Sequence, residues 1–185
     1  MKNILRSTAG IAFISFLLMF VKPVTGQVSI NADELKTQMI ADWQRAKAYT
    51  NEYLNSMPAD KYSFRAHDSV RSFAQQMLHL AQANLFFLST ATGNSQSFGR
   101  NLEQSRSAWS SDSVKYFVNA SYDYVIDGIT KLDAARLGEK ASMRNMEASR
   151  LTWLSKAFEH QTHHRGQTTI YIRLLGIKPP PERLF

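Results

Sequence analysis

The sequence predicts an all-α protein built as a bundle of four helices, and three observations carry that expectation. Four long segments place apolar residues at spacings of three and four, the period of a helix with one face buried. No run of alternating β-branched residues marks a strand, and no internal repeat suggests a solenoid, so strands are not expected. The 185-residue chain has no cysteine, which excludes a disulfide framework, a thiol nucleophile and thiolate metal ligands. Stability must therefore come from an ordinary hydrophobic core, and any metal from histidine or carboxylate.

Ahead of the first helix the chain reads as a targeting segment. Lys2 and Arg6 precede the apolar run Ile11–Val21, and the small residues Val24 and Gly26 stand at −3 and −1 of a cleavage point before Gln27. The run is short for a membrane span. The expectation is a signal peptide over residues 1–26, an uncleaved anchor being the alternative, with export to a periplasmic or extracellular location and no membrane association after cleavage. Loss of these residues removes Lys2, Arg6 and Lys22 and no acid, so the formal net charge falls from +7 to +4. That modest excess, without blocks of like charge beyond the C-terminal Arg173–Arg183 stretch, argues against a nucleic-acid partner.

The remaining 159 or so residues suffice for one core. The first helix, about Asn31 to Ser56, opens with Asn31 and Glu34 in capping-box spacing and carries Leu35, Met39, Trp43, Ala46 and Tyr53 on one stripe. The second, about Ser69 to Ala91, is apolar on most sides, as a helix packed against several neighbours must be. The third, about Asp112 to Leu137, repeats Val114, Phe117, Val118, Ser121, Val125, Ile129 and Leu132. The fourth, about Arg150 to Leu175, ends where Gly176 can adopt a left-handed cap and the prolines of KPPPERLF cannot continue it. The connections Thr92–Ser111 and Gly138–Ser149 are longer than ordinary bundle turns, so at least one is expected to cross over or cover an end.

Chemistry concentrates in the fourth helix, where three of the five histidines fall within five residues. His160 and His164 are four apart, so their imidazoles stack on one helix face and can converge on one ion. His163 lies about 100° away from His164 and is read as flanking. The histidine face also carries Trp153, Ala157, Gln167, Thr168 and Tyr171, which turns it toward the bundle interior. Neutral imidazoles buried there need partners, and either hydrogen bonds or a divalent cation would supply them. His79, between Leu78 and Leu80 in the second helix, is the candidate third ligand, ahead of His67 in the preceding connection.

The stretches HQTHHRGQTTIYIRLLGIKPP (160–180) and FRAHDSVRSFAQQMLHLAQAN (64–84) resemble the C-terminal and second helices of the DinB family, and the likeness extends from about Asp33 to Pro181. The resemblance implies an up-down-down-up four-helix bundle and a divalent metal, zinc or nickel, on His79, His160 and His164. It also implies a metal-dependent hydrolase, or a transferase using a low-molecular-weight thiol, acting on a small molecule of unknown identity. A non-enzymatic module with a structural or sequestered ion is the alternative, and a homodimer is compatible with either. Export argues against a thiol co-substrate, since reduced small thiols are scarce outside the cytoplasm, and the family's name is no evidence of DNA contact.

Three neutral histidines leave a fourth coordination position open, as catalytic sites require. An ion there can lower the pKa of a bound water towards about 7 or polarise a substrate. A zincin-type peptidase is disfavoured because Gln161, not glutamate, follows His160. Gln167 and Tyr171, one and two turns beyond His164, are the candidates for contacts to a ligand or bound water. Arg165 and Arg173 are read as surface charges, Asn84 as an interhelical hydrogen-bonding residue, and Trp43 and Trp153 as core.

Overall fold

The computed structural model describes residues 31–99 and 101–185. The signal-peptide reading and its cleavage point lie outside the described residues. Four helices dominate: α1 (Ala32–Ser56), α2 (Phe73–Thr92), α3 (Ser111–Lys131) and α4 (Arg150–Leu174). Among the described residues no helix is long and apolar enough to cross a membrane.

Side-chain pairs fix the helix directions. Lys47 meets Asp123 and Asn51 meets Asn119, so α1 and α3 are antiparallel. Asn84 bonds Ser121 and Ser89 meets Tyr124, so α2 and α3 run parallel. Gln76 reaches His164 while Phe87 packs on Trp153, making α2 and α4 antiparallel, and Trp43 on Phe158 with Tyr53 on Thr169 aligns α4 with α1. The result is the up-down-down-up bundle, in which the long α2–α3 connection allows two successive helices to run the same way.

The core is continuous and drawn from all four helices, with Trp43, Leu54, Phe73, Met77, Leu80, Tyr122, Ile129 and Leu154 at most 2 % exposed. Burial of this many large apolar side chains, each contributing about 1.5–3 kcal/mol, is the main driving force for the packing. α2 and α3 approach closely at Gly128, where a Cβ would lie 2.5 Å from a Leu88 methyl, so a larger residue there would force the Leu88 side chain to shift. Trp43 and Trp153 are core as expected, and Asn84 donates to Ser121 at 3.1 Å across the interface.

Several boundaries differ from the sequence reading. α2 begins at Phe73 rather than Ser69, because Ser72 and Gln75 form a reciprocal capping box that ends the preceding turn. Asn31 caps α1 through the N–H of Asp33. α3 stops at Lys131: Leu132 is its buried, extended C-cap, and Leu137 is buried instead from a following 3-10 turn, Ala134–Gly138, capped by Asp133. The largest correction is a two-stranded antiparallel hairpin, β1 (Lys140–Met143) and β2 (Met146–Ser149), where no strand was expected. Its strands are four residues long and its turn has Arg144 at φ 56, so it lacks the glycine signature that marks a hairpin in sequence. Long-range packing holds it: the Trp153 indole donates to the Ala141 carbonyl at 2.9 Å.

Candidate metal centre

The antiparallel contact between α2 and α4 brings His79 against His160 and His164. Ring centroids are 5.1, 4.5 and 4.4 Å apart for the pairs His79–His160, His79–His164 and His160–His164. One nitrogen from each ring lies within 4.8 Å of the other two. His160 and His164 share a face of α4 through their spacing of four, and α2 supplies the third ring from across the interface. His163 is exposed, and His67 is exposed and bound to Ser69 in the turn before α2.

Two of the rings are oriented by partners that the sequence analysis did not find. The Nδ1 of His79 lies 2.6 Å from the Glu103 carboxylate, which also accepts from Arg71 Nε at 2.6 Å. The Nδ1 of His164 lies 2.8 Å from Gln76 Oε1. A carboxylate and an amide oxygen can only accept, so each Nδ1 carries a proton, and in the neutral ring the lone pair then lies on Nε2. This is the arrangement that holds a ligating imidazole in the correct tautomer.

Electrostatics agree. Burial lowers the pKa of His160 to about 4, assisted by the positive charge that His79, His163 and Arg71 can carry. Burial, then the same neighbours together with His160, lowers His164 to about 3. Burial would raise Glu103, but the hydrogen bonds from His79 and Arg71 outweigh it and bring the carboxyl to about 2, so it stays ionised. Near neutral pH the cluster presents uncharged His160 and His164 rings beside a fixed negative charge.

The residues fit a divalent ion. Three imidazoles from two rigid helices face one another, and the buried Nδ1 of His160 has no hydrogen-bond partner in the protein. Buried polar atoms are rarely left so. An imidazole set of this kind suits zinc, nickel, copper or iron.

The other residues singled out in the sequence are placed as follows. Gln167 is half-buried and lines a polar cavity of about 480 Å³ with Arg71, Gln76 and Glu103, while its Oε1 is buried without a protein partner. Tyr171 is buried and donates its hydroxyl proton to the Arg71 carbonyl at 2.6 Å, so that proton steadies the segment carrying Arg71 and is directed to no histidine. Arg165 is not a surface charge. It is 6 % exposed, donates to Gln161 at 2.9 Å and lies 4.5 Å from the Tyr49 ring centroid. Its position next to His164 turns it toward α1 and α3, where Tyr49, Thr50 and Tyr122 provide a polar pocket in the core. Arg173 is exposed, as read. Glu159 pairs with Lys156 at 2.6 Å.

A cleft of about 560 Å³ leads to His79 and His160 between Ala83, Phe87 and Glu103. The class these features define is a four-helix bundle with a three-histidine group that can hold a metal ion beside a cleft. A family model for the DinB family matches residues 28–183. The chain belongs to the DinB family. No curated protein matches it in sequence. Its fold resembles the crystal structure of a DinB-like protein from Bacillus cereus, with a TM-score of 0.68 and 15 % identity over 80 % of this chain and 97 % of that one. A DinB-like protein from Bacillus subtilis is similar at a TM-score of 0.62 and 16 % identity, covering 78 % and 96 %.

Proposed function

We propose that the protein is a metal-dependent enzyme of the hydrolase or transferase class that acts on a small molecule at His79, His160 and His164, with zinc or nickel as the ion. The observation that carries the reading is that two of the three rings have dedicated partners, Glu103 and Gln76, that direct their lone pairs, while a cleft reaches the cluster. When bound, the ion supplies Lewis-acid polarisation of a substrate atom.

The chain's own groups do the rest. Glu103 holds the proton on His79 Nδ1, and Arg71 holds Glu103. Gln76 holds the proton on His164 and is itself steadied by Tyr171 at 3.5 Å. Gln167 lines the polar cavity beside Arg71, Gln76 and Glu103, with its buried amide oxygen left without a partner in the protein. Phe86 and Phe87 flank the cleft and limit water at the reacting atoms. Because Glu103 is engaged by two donors, a proton-accepting role falls to substrate or solvent rather than to this carboxylate. A low-molecular-weight thiol is not required by this arrangement. We place the mature protein outside the cytoplasm, beginning at Gln27, on the strength of the N-terminal charge and apolar pattern.

Elemental analysis of residues 27–185, purified without a metal-binding tag, tests the reading beside a His79→Ala variant. About one equivalent of zinc or nickel, lost in the variant, is expected. No metal in either after reconstitution overturns it. Metal that neither exchanges nor admits a competing anion would favour an ion-sequestering module over an enzyme. N-terminal sequencing of the exported protein tests Gln27 as the first residue.

A further inference from the structure

Beside the metal centre lies a second, apolar cavity of about 550 Å³, within the roughly 300–1,000 Å³ typical of small-molecule clefts. Phe86, Phe87 and Trp153 form one side, Met146 and Ala148 of β2 the other, and His160 stands where this cavity meets the cleft leading to His79. The aromatic wall is continuous up to the histidine: ring centroids are 5.3 Å apart for Phe86–Phe87, 6.1 Å for Phe87–Trp153 and 5.6 Å for Phe87–His160. The hairpin closes the far side and is tied to α4 through Trp153.

Two further facts point to a ligand. Phe86 is 39 % and Met146 49 % exposed at the mouth, so large apolar surface that burial would stabilise faces solvent. The polar groups of the lining are few: Glu159 and Lys156 pair with each other at 2.6 Å, leaving no unmatched carboxylate or ammonium, and besides His160 only Thr152 and the exposed His163 remain. What the cavity chiefly offers is apolar and aromatic area that ends at His160, one of the three histidines able to hold an ion.

We propose that this cavity binds an uncharged aromatic or alkyl group of the substrate, whose polar, reacting end is presented to the three histidines. The substrate class is therefore a small amphiphile, with Phe87, Met146, Ala148 and Trp153 setting specificity for its apolar end. The proposal rests on the metal-centre reading for the polar end alone; the apolar half stands on the cavity.

The test uses mature protein whose metal content has been measured, with acetohydroxamic acid, 4-phenylbutyrohydroxamic acid and the non-chelating 4-phenylbutan-1-ol as probes in titration calorimetry. The phenylbutyl hydroxamate should bind the metal-loaded protein about tenfold or more tighter than the acetyl compound, since the difference is a buried phenylalkyl group. Ala148→Phe fills the cavity and should reduce that advantage to about threefold or less while acetohydroxamate binding is unchanged. Met146→Glu, at an exposed hairpin position, should act in the same direction without requiring the interior to repack. Equal affinities for the two hydroxamates, or an advantage that survives both substitutions, overturns the proposal. If the protein holds no metal, the metal-centre reading alone fails. The alcohol then decides: saturable binding lost in Ala148→Phe and Met146→Glu supports the cavity, and no binding to wild type overturns it.

Discussion

The contact between His79 and Glu103 yields the most exacting prediction about the metal centre. Glu103 leaves only 17 % of its side chain exposed and accepts from His79 Nδ1 and Arg71 Nε, each at 2.6 Å. Replacing a carboxylate that orients a ligating imidazole typically weakens metal binding about 10–100-fold, or about 1.4–2.8 kcal/mol. Glu103→Ala should fall in that range, because it removes both the acceptor and the charge that favours a partly positive ring. Glu103→Gln keeps an acceptor oxygen. Since a charge-assisted hydrogen bond is roughly twice as strong as a neutral one, it should cost about half as much in free energy, or about 3–10-fold. Neither change should unfold the loop, because its backbone is held separately: the Glu103 carbonyl accepts from Gln75 at 3.0 Å and from the Trp109 indole at 3.2 Å. Competition for zinc against a chromophoric chelator at pH 7.5 measures the dissociation constants, with far-ultraviolet circular dichroism confirming the fold. Dissociation constants within twofold of wild type for both variants would refute the claim that Glu103 sets the tautomer of His79. Equal losses for alanine and glutamine would refute the part assigned to its charge.

Three further outcomes follow from the geometry. His163→Ala should leave metal content at wild-type level while His160→Ala and His164→Ala abolish it, because His163 is exposed and outside the three-ring group; equal loss at all three positions would overturn the ligand assignment. In the metal-free protein, His160 and His164 keep neutral rings down to about pH 4 and about pH 3, while the unfolded chain takes up their protons near 6.5. The unfolded state then binds more protons, so stability should be unaffected above about pH 7 and decline as pH falls from about 6.5 toward 4, read as a falling urea midpoint. A midpoint that stays level over that range, in a protein with these two histidines intact, would contradict their burial. Arg165→Ala should destabilise the fold by about 1.5–3 kcal/mol through loss of its buried hydrogen bonds without changing the metal stoichiometry of the folded fraction, as chemical denaturation and elemental analysis would show together.

The sequence by itself determined the parts governed by local periodicity. A repeat of three and four defines a helix wherever it is long, so the four helices and the core residues Trp43, Val118 and Trp153 were legible, as was the common face of His160 and His164. The meeting of His79 with that face was legible only through resemblance, since no local rule joins residues 81 positions apart. Tertiary structure alone decided the rest. Leu132 keeps the helical spacing yet is buried as the extended C-cap of α3, and Leu137, placed at the end of that helix by the sequence, is buried from a separate 3-10 turn. The hairpin carries no turn signature and forms because α4 offers Trp153 to its backbone. Arg165 could be taken for a surface charge because a helix period ranks faces only by the apolar residues on them, whereas its burial depends on Tyr49, Thr50 and Gln161 being there to satisfy a guanidinium. Glu103 lies in a polar connection with no period at all, and what makes it a partner of His79 is the packing of that residue against α2, where Gln75 also holds its carbonyl. Local pattern sets which residues share a face; which distant groups satisfy them is a property of the packed bundle.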